Sequence, residues 1–129
     1  MSKHVAWFDE IPDEDLGKSA GGKGASLCRM SRANLPVPNG FIVRSEAFNA
    51  FMEANNLWDM VFEKLSTIDF SSDASLISVA AEIRRNIIDN PVPSEIAAEI
   101  VENYTQLGDS RSPVSVRSSG TAEDLDDAS

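Results

Sequence analysis

Gly17-Lys18-Ser19-Ala20-Gly21-Gly22-Lys23-Gly24 is the densest glycine cluster of the chain, and it runs directly into Ala25-Ser26-Leu27-Cys28-Arg29-Met30. Leu27 and Met30, with Ala33 and Asn34 beyond them, lie at helical spacing, so the stretch reads as a glycine loop entering a helix. Glycines let backbone approach a phosphate, and a helix start presents unpaired N–H groups carrying roughly +0.5 of an elementary charge. Lys23 stands at that start, where it can neutralise a phosphoryl oxygen. A loop and helix start with a solvent-facing lysine accounts for the same residues, and both readings stay open. Gly17-x-x-x-x-Gly22-Lys23 also fits most of a P-loop. However, Gly24 occupies the place of the magnesium-holding Ser or Thr, an acidic turn separates the loop from the apolar run Val5–Phe8, and no later apolar run ends in an Asp. A P-loop NTPase is therefore disfavoured.

Ahead of the glycine cluster, Val5-Ala6-Trp7-Phe8 is a strand candidate, followed by the acidic turn from Asp9 to Asp15. Pro36-Val37-Pro38-Asn39-Gly40 ends the glycine-led helix, and Phe41-Ile42-Val43 is a second strand candidate. Ser45 can cap a helix with the apolar face Ala47, Phe48, Phe51 and Met52, and Trp58, Val61, Phe62 and Leu65 continue the pattern after Asn55-Asn56. Leu76, Val79, Ala80, Ile83 and Ile87, widened by Ile88, mark a long helix beginning near Asp73. Pro91-Val92-Pro93 stops it, and Ser94 caps a last helix carrying Ile96, Ala97, Ile100, Val101 and Tyr104. These stripes read as core. Pro113-Val114-Ser115-Val116-Arg117 alternates like a third strand. The expected fold is α+β: a small antiparallel sheet from Val5–Phe8, Phe41–Val43 and Val114–Val116, covered by four or five helices.

The chain has 129 residues, 42% hydrophobic and 25% charged, which is ample for one cored domain. Eleven Lys and Arg stand against 21 Asp and Glu, a net charge of −10. That balance argues against nucleic-acid binding and against docking on anionic membranes, since both draw on excess basic charge. Any bound anion must be held by a few placed cations and backbone amides. No apolar run suits a signal peptide or approaches the roughly 20 residues of a membrane helix, so a cytoplasmic location is expected. Cys28, the only cysteine, reads as a small buried hydrophobe rather than a nucleophile, and His4, the only histidine, lies too close to the N-terminus to suggest a catalytic base.

Arg117-Ser118-Ser119 forms a second candidate site: a planar guanidinium fork after a strand, suited to bidentate phosphate contact, with two hydroxyls beside it. On spacing alone, a surface arginine at a strand end before a serine-rich turn is the favoured reading. The acidic run Glu123, Asp124, Asp126 and Asp127 lacks EF-hand spacing and reads as a solvated turn or helix start, with no metal site.

Three ordered segments together resemble the nucleotide-binding domain of the phosphoenolpyruvate synthase and pyruvate phosphate dikinase family, a domain shared by rifampicin phosphotransferases. They are Ala20-Gly21-Gly22-Lys23-Gly24-Ala25-Ser26-Leu27, Leu35-Pro36-Val37-Pro38-Asn39-Gly40-Phe41 and Val114 through Ser129. The family pattern is a GGK(G/N)xxL helix start, a VPxGF strand start and a segment of the form VRSSATAEDLPDASFAGQ. Gly120 replaces the usual alanine and Asp126 the usual proline, both mild departures. The resemblance spans essentially the whole chain. It implies one lobe of an ATP-grasp type site, residues 1–129 forming the N-terminal portion of the ATP-binding domain. Lys23 and Arg117 would contact the ATP phosphates, with Gly21, Gly22, Gly24, Ser118 and Ser119 as a supporting loop. Also implied are Mg2+ ligands and a phosphoacceptor histidine in later parts absent from this sequence, so that no catalytic residue is carried over here and this portion alone is inactive. The implied parent reaction is a pyruvate, water dikinase reaction, from ATP, pyruvate and water to phosphoenolpyruvate, AMP and phosphate. A rifamycin acceptor, or a non-catalytic binding module, are the alternatives. The implied partners are ATP, the remaining domains and, through them, pyruvate or another acceptor.

Overall fold

Strands β1 (Val5–Trp7) and β2 (Phe41–Val43) pair antiparallel in the register Val5↔Val43, Ala6↔Ile42 and Trp7↔Phe41. The Trp7 and Phe41 rings meet at 5.5 Å, and the Arg44 amide extends the ladder to the His4 carbonyl at 2.8 Å. In this computed structural model the described residues are 2–108 and 111–121. Among them the sheet has only these two strands. The expected third strand does not form: Val114 and Val116 lie outside any regular element, 47% and 90% exposed. Alternation signals a half-buried face only where a surface covers it, and none covers this run.

Among the described residues there are five α-helices, α1 (Leu16–Arg32), α2 (Ser45–Ala54), α3 (Leu57–Leu65), α4 (Asp73–Asp89) and α5 (Ser94–Leu107), and one 3-10 turn at Asp13–Asp15 before α1. The α+β class and the helix number therefore agree with the sequence reading. Helix α1 ends before the prolines, because Asn34 takes a left-handed φ of 58°. The Leu35 amide then reaches back to the Met30 carbonyl and the Asn34 amide to that of Ser31, satisfying carbonyls the helix leaves open. Ser72 caps α4 by accepting from the Ser75 amide. The Ser45 hydroxyl does not act as expected, since it donates to the Lys18 carbonyl at 2.8 Å.

The described chain divides into two compact units, one drawn from Met1–Phe48 with Ser94–Ser129 and the other from Asn49–Pro93. In the first, Ala6, Ile11, Leu16, Ala20, Ala25 and Cys28 form the core, with Phe8 and Ile42 packed on it. Burying a leucine or isoleucine side chain in such a core stabilises by about 1.5–3 kcal/mol. In the second, Phe51, Met52 and Leu57 are covered by Trp58, Met60, Val61 and Ile87, and a Lys64–Glu82 ion pair links α3 to α4. The stripes are not all core: Phe48, Phe62, Leu65, Leu76, Ile88 and Val101 stay exposed, as does Phe70 outside them. Helical periodicity marks an apolar face without showing that a neighbour covers it.

Strand β1 is seated on α5 by side chains. Ser2 Oγ donates to Glu99 Oε2 at 2.7 Å, His4 Nδ1 stands 3.4 Å from Glu99 Oε1, and Trp7 Nε1 donates to Asn103 Oδ1 at 2.7 Å. The Ser2 hydroxyl holds the Glu99 carboxyl below its ordinary value of 4.5, with a smaller contribution from His4 and burial opposing. A carboxylate lowered by folding stabilises above its unfolded pKa, and that contribution is lost as pH falls through the folded value. Between about pH 5 and pH 3, thermal melts should therefore show a steeper fall in midpoint for the natural chain than for Glu99→Gln. Parallel curves for the two would contradict this seating.

Candidate phosphate-binding site

The glycine cluster is not a loop ahead of a helix. It lies inside α1, which is broken at Gly21, where φ is 73° and ψ 176°. That backbone region is essentially reserved for glycine. The break leaves a first segment ending at Ala20 and a second that begins at Gly22 and runs to Arg32. The expected loop is replaced by helix on both sides because Leu16, Ser19 and Ala20 already face the core, and burying them requires helical turns upstream of the glycines.

What fills the break is the distant segment at Ser119 and Gly120. The Gly22 amide donates to the Gly120 carbonyl at 3.0 Å, and the Gly24 amide to Ser119 Oγ at 3.0 Å. Ser119 Oγ in turn donates to the Ala20 carbonyl at 2.7 Å. A Cβ on Gly21 would stand 2.5 Å from both the carbonyl oxygen and Oγ of Ser119, so the close approach needs glycine there. On Gly24 a Cβ would meet Ala20 Cβ at 3.0 Å and Ile42 Cδ1 at 3.4 Å. At its other end the segment is tied to α5, where the Tyr104 hydroxyl donates to the Ser112 carbonyl.

The structure thus joins both sequence-predicted candidates. Lys23 is exposed and sits between the two tethered glycines, and Arg117 and Ser118 are exposed just ahead of Ser119. Lys23 has side-chain or backbone interactions of its own within the chain. The amides of Gly22 and Gly24 and the hydroxyl of Ser119 are already engaged with one another. The acidic run from Glu123 to Asp127 lies outside the described residues. Among the described residues no cluster of three or more His, Cys, Asp or Glu side chains is set to hold a metal ion.

Sequence reasoning missed the polar cluster on the first segment of α1. Ser19, 3% exposed, accepts from Arg44 Nε at 2.7 Å and donates to Glu46 Oε2 at 2.9 Å. Arg44 also donates to the Ser2 carbonyl and stands 3.4 Å from Glu46. The cluster fixes α1 against the β2–α2 junction, and only contacts far apart in sequence reveal it. Cys28 is fully buried, its thiol pushed up by that burial, so it is the inert hydrophobe expected. His4 is engaged with Glu99 on α5.

The family model described as pyruvate phosphate dikinase, AMP/ATP-binding domain matches residues 17–129, from the first glycine of the cluster onward. The chain belongs to this family. It is 41% identical over 133 residues to a protein named "Probable phosphoenolpyruvate synthase" of Methanothermobacter thermautotrophicus, covering 100% of this chain and 19% of that one. A protein of the same name from Methanocaldococcus jannaschii is 40% identical, over 98% of this chain and 11% of its own length. The phosphoenolpyruvate synthase of Escherichia coli is 37% identical, over 97% and 16%. The chain therefore spans between 11% and 19% of the length of these relatives and corresponds to the N-terminal part of the family's ATP-binding domain. Among the described residues no helix is long and apolar enough to cross a membrane.

Two glycines of the family segment should respond oppositely to alanine. Gly21→Ala should lower unfolding free energy by about 2 kcal/mol or more, through its positive φ and the clash with Ser119. Gly17→Ala, whose Cβ meets nothing within 4 Å, should raise it by up to about 1 kcal/mol. Urea unfolding of both variants checks this, and equal midpoints would contradict the break at Gly21.

Proposed function

We propose that this chain supplies the N-terminal part of the ATP-binding domain of a phosphoenolpyruvate synthase-like enzyme, with Lys23 and Arg117 as the cations that receive the ATP phosphates. One observation carries the reading: the glycine cluster bearing Lys23 and the segment bearing Arg117, far apart in sequence, are tied together by direct hydrogen bonds. On a chain of net charge −10, a polyphosphate needs such local pairing of cations, because the overall field repels it. Arg117 offers a planar fork for two phosphate oxygens and Lys23 a compact charge, a division of labour suited to adjacent phosphoryl groups. Gly21, Gly22 and Gly24 at the break in α1, with Ser118 and Ser119 on the segment tied to it, support these two cations.

In this reading the domain is one lobe of an ATP-grasp type site, and the full protein is a cytoplasmic enzyme. The overall reaction takes ATP, pyruvate and water to phosphoenolpyruvate, AMP and phosphate, with the phosphoryl group that reaches pyruvate carried on a histidine of another domain and water accounting for the released phosphate. Mg2+ would be held by acidic ligands beyond these residues and would supply charge neutralisation during transfer. The names of the relatives favour pyruvate over a rifamycin as acceptor.

In the full-length protein, Lys23→Ala and Arg117→Ala should each cut ATP-dependent phosphorylation by about 10²-fold or more, the usual cost of removing one charge-stabilising group. Unchanged turnover in both variants would overturn the assignment.

A further inference from the structure

The break in α1 creates a capping problem, and the solution to it has a functional consequence. An ordinary helix start carries Ser, Thr, Asp or Asn at the cap position, whose side chain accepts the amide of the second or third helical residue. Here Gly21 takes the cap position of the second segment and has no side chain to offer, while Gly22, Lys23 and Gly24 are the first three helical residues. The third of these amides, that of Gly24, is taken by Ser119 Oγ from 95 residues away. The first, that of Gly22, is taken by the Gly120 carbonyl. The same Ser119 hydroxyl donates to the Ala20 carbonyl, the last of the preceding segment, so one oxygen spans both sides of the break.

We propose that Ser119 is a positioning residue for Lys23: its hydroxyl is the cap of the helical segment that carries Lys23, and it ties that segment to the one that carries Arg117. This rests on the reading that Lys23 and Arg117 receive the ATP phosphates. It also assigns the work within the site. The Gly22 and Gly24 amides and the Ser119 hydroxyl hold the scaffold, and the contacts to phosphate fall to the Lys23 and Arg117 side chains. Gly21 is needed because any side chain there would meet Ser119 before the cap could form. Glycine at 24 keeps Ala20 and Ile42 within reach of the same turn.

A double-mutant cycle in the full-length protein tests this, reading kcat/KM for ATP in ATP-dependent phosphorylation. Ser119→Ala should lower kcat/KM about tenfold or more while Lys23 is present, the scale on which small misplacements act. In the Lys23→Ala background the same change should cost less than about twofold, because no lysine remains to be positioned. Ser119→Thr, which keeps the hydroxyl, should recover most of the loss. Hydrogen exchange at the Gly24 amide should quicken in Ser119→Ala and not in Ser119→Thr. Equal losses from Ser119→Ala in both backgrounds, or an unchanged Gly24 exchange rate, would overturn the positioning role and leave the phosphate reading standing. No effect of Lys23→Ala by itself would overturn both. Should Ser119→Ala lose its circular dichroism, Ser119→Cys, similar in shape with weaker hydrogen bonds, runs the same cycle.

Discussion

The first unit depends on one hydroxyl group that accepts from Gly24 and donates to Ala20. Gly24 is buried, so without Ser119 its amide would lose water and gain no partner, at a cost of about 1–3 kcal/mol. The other features of the site follow from this contact. Gly21 must be glycine because the segment bearing Ser119 passes within 2.5 Å of where a Cβ would be. Helix α1 must break because the Ser119 and Gly120 segment replaces, on one side, the bonds that a continuous helix would make to itself. The break in turn lets the first segment turn Leu16 and Ala20 into the core beside Ala6, while the second keeps Lys23 outside.

Charge is arranged locally. Arg32 pairs with Asp13 and also donates to the Ile11 carbonyl, Arg44 is packed among Ser19, Glu46 and the Ser2 carbonyl, and Lys64 pairs with Glu82. These cations serve structure: they seat α1, join α1 to the β2–α2 junction, and link α3 to α4. Lys23 and Arg117 differ in being exposed close to residues tied across the break, Gly22 and Gly24 on one side and Ser119 and Gly120 on the other. In the proposed reading, cations held close to such ties lose less entropy on meeting a phosphate than cations on a mobile loop.

Much of this was legible in the sequence. Glycine density at residues 17–24, the helical stripes, the proline stops and the apolar runs Val5–Phe8 and Phe41–Val43 point to the α+β class with four or five helices. The motif order gave the family. Other features were not legible. The periodicity of Leu76, Ile88 and Val101 defined faces but said nothing about whether a neighbour covers them, and these side chains are exposed. Alternation at Val114–Val116 looks the same whether or not a strand lies alongside, and none does among the described residues. The glycine cluster reads as a loop because helix propensity counts glycine as a breaker, whereas core burial of Leu16, Ser19 and Ala20 upstream and tertiary bonds from residues 119 and 120 at the break leave all but Gly21 helical. In each case the deciding partner lies far along the chain, where local pattern carries no information.

In the proposed reading the Lys23 turn and the Arg117–Gly120 segment form one surface that recognises phosphate. It is tested most directly by titrating the chain with ATP, and separately with adenosine, while following its backbone amide spectrum. ATP is expected to shift the resonances of Gly22, Lys23 and Gly24 together with those of Arg117 through Gly120, with a single shared dissociation constant, and adenosine is expected to leave them in place. Shifts at one segment without the other, or equal shifts with adenosine, would contradict it.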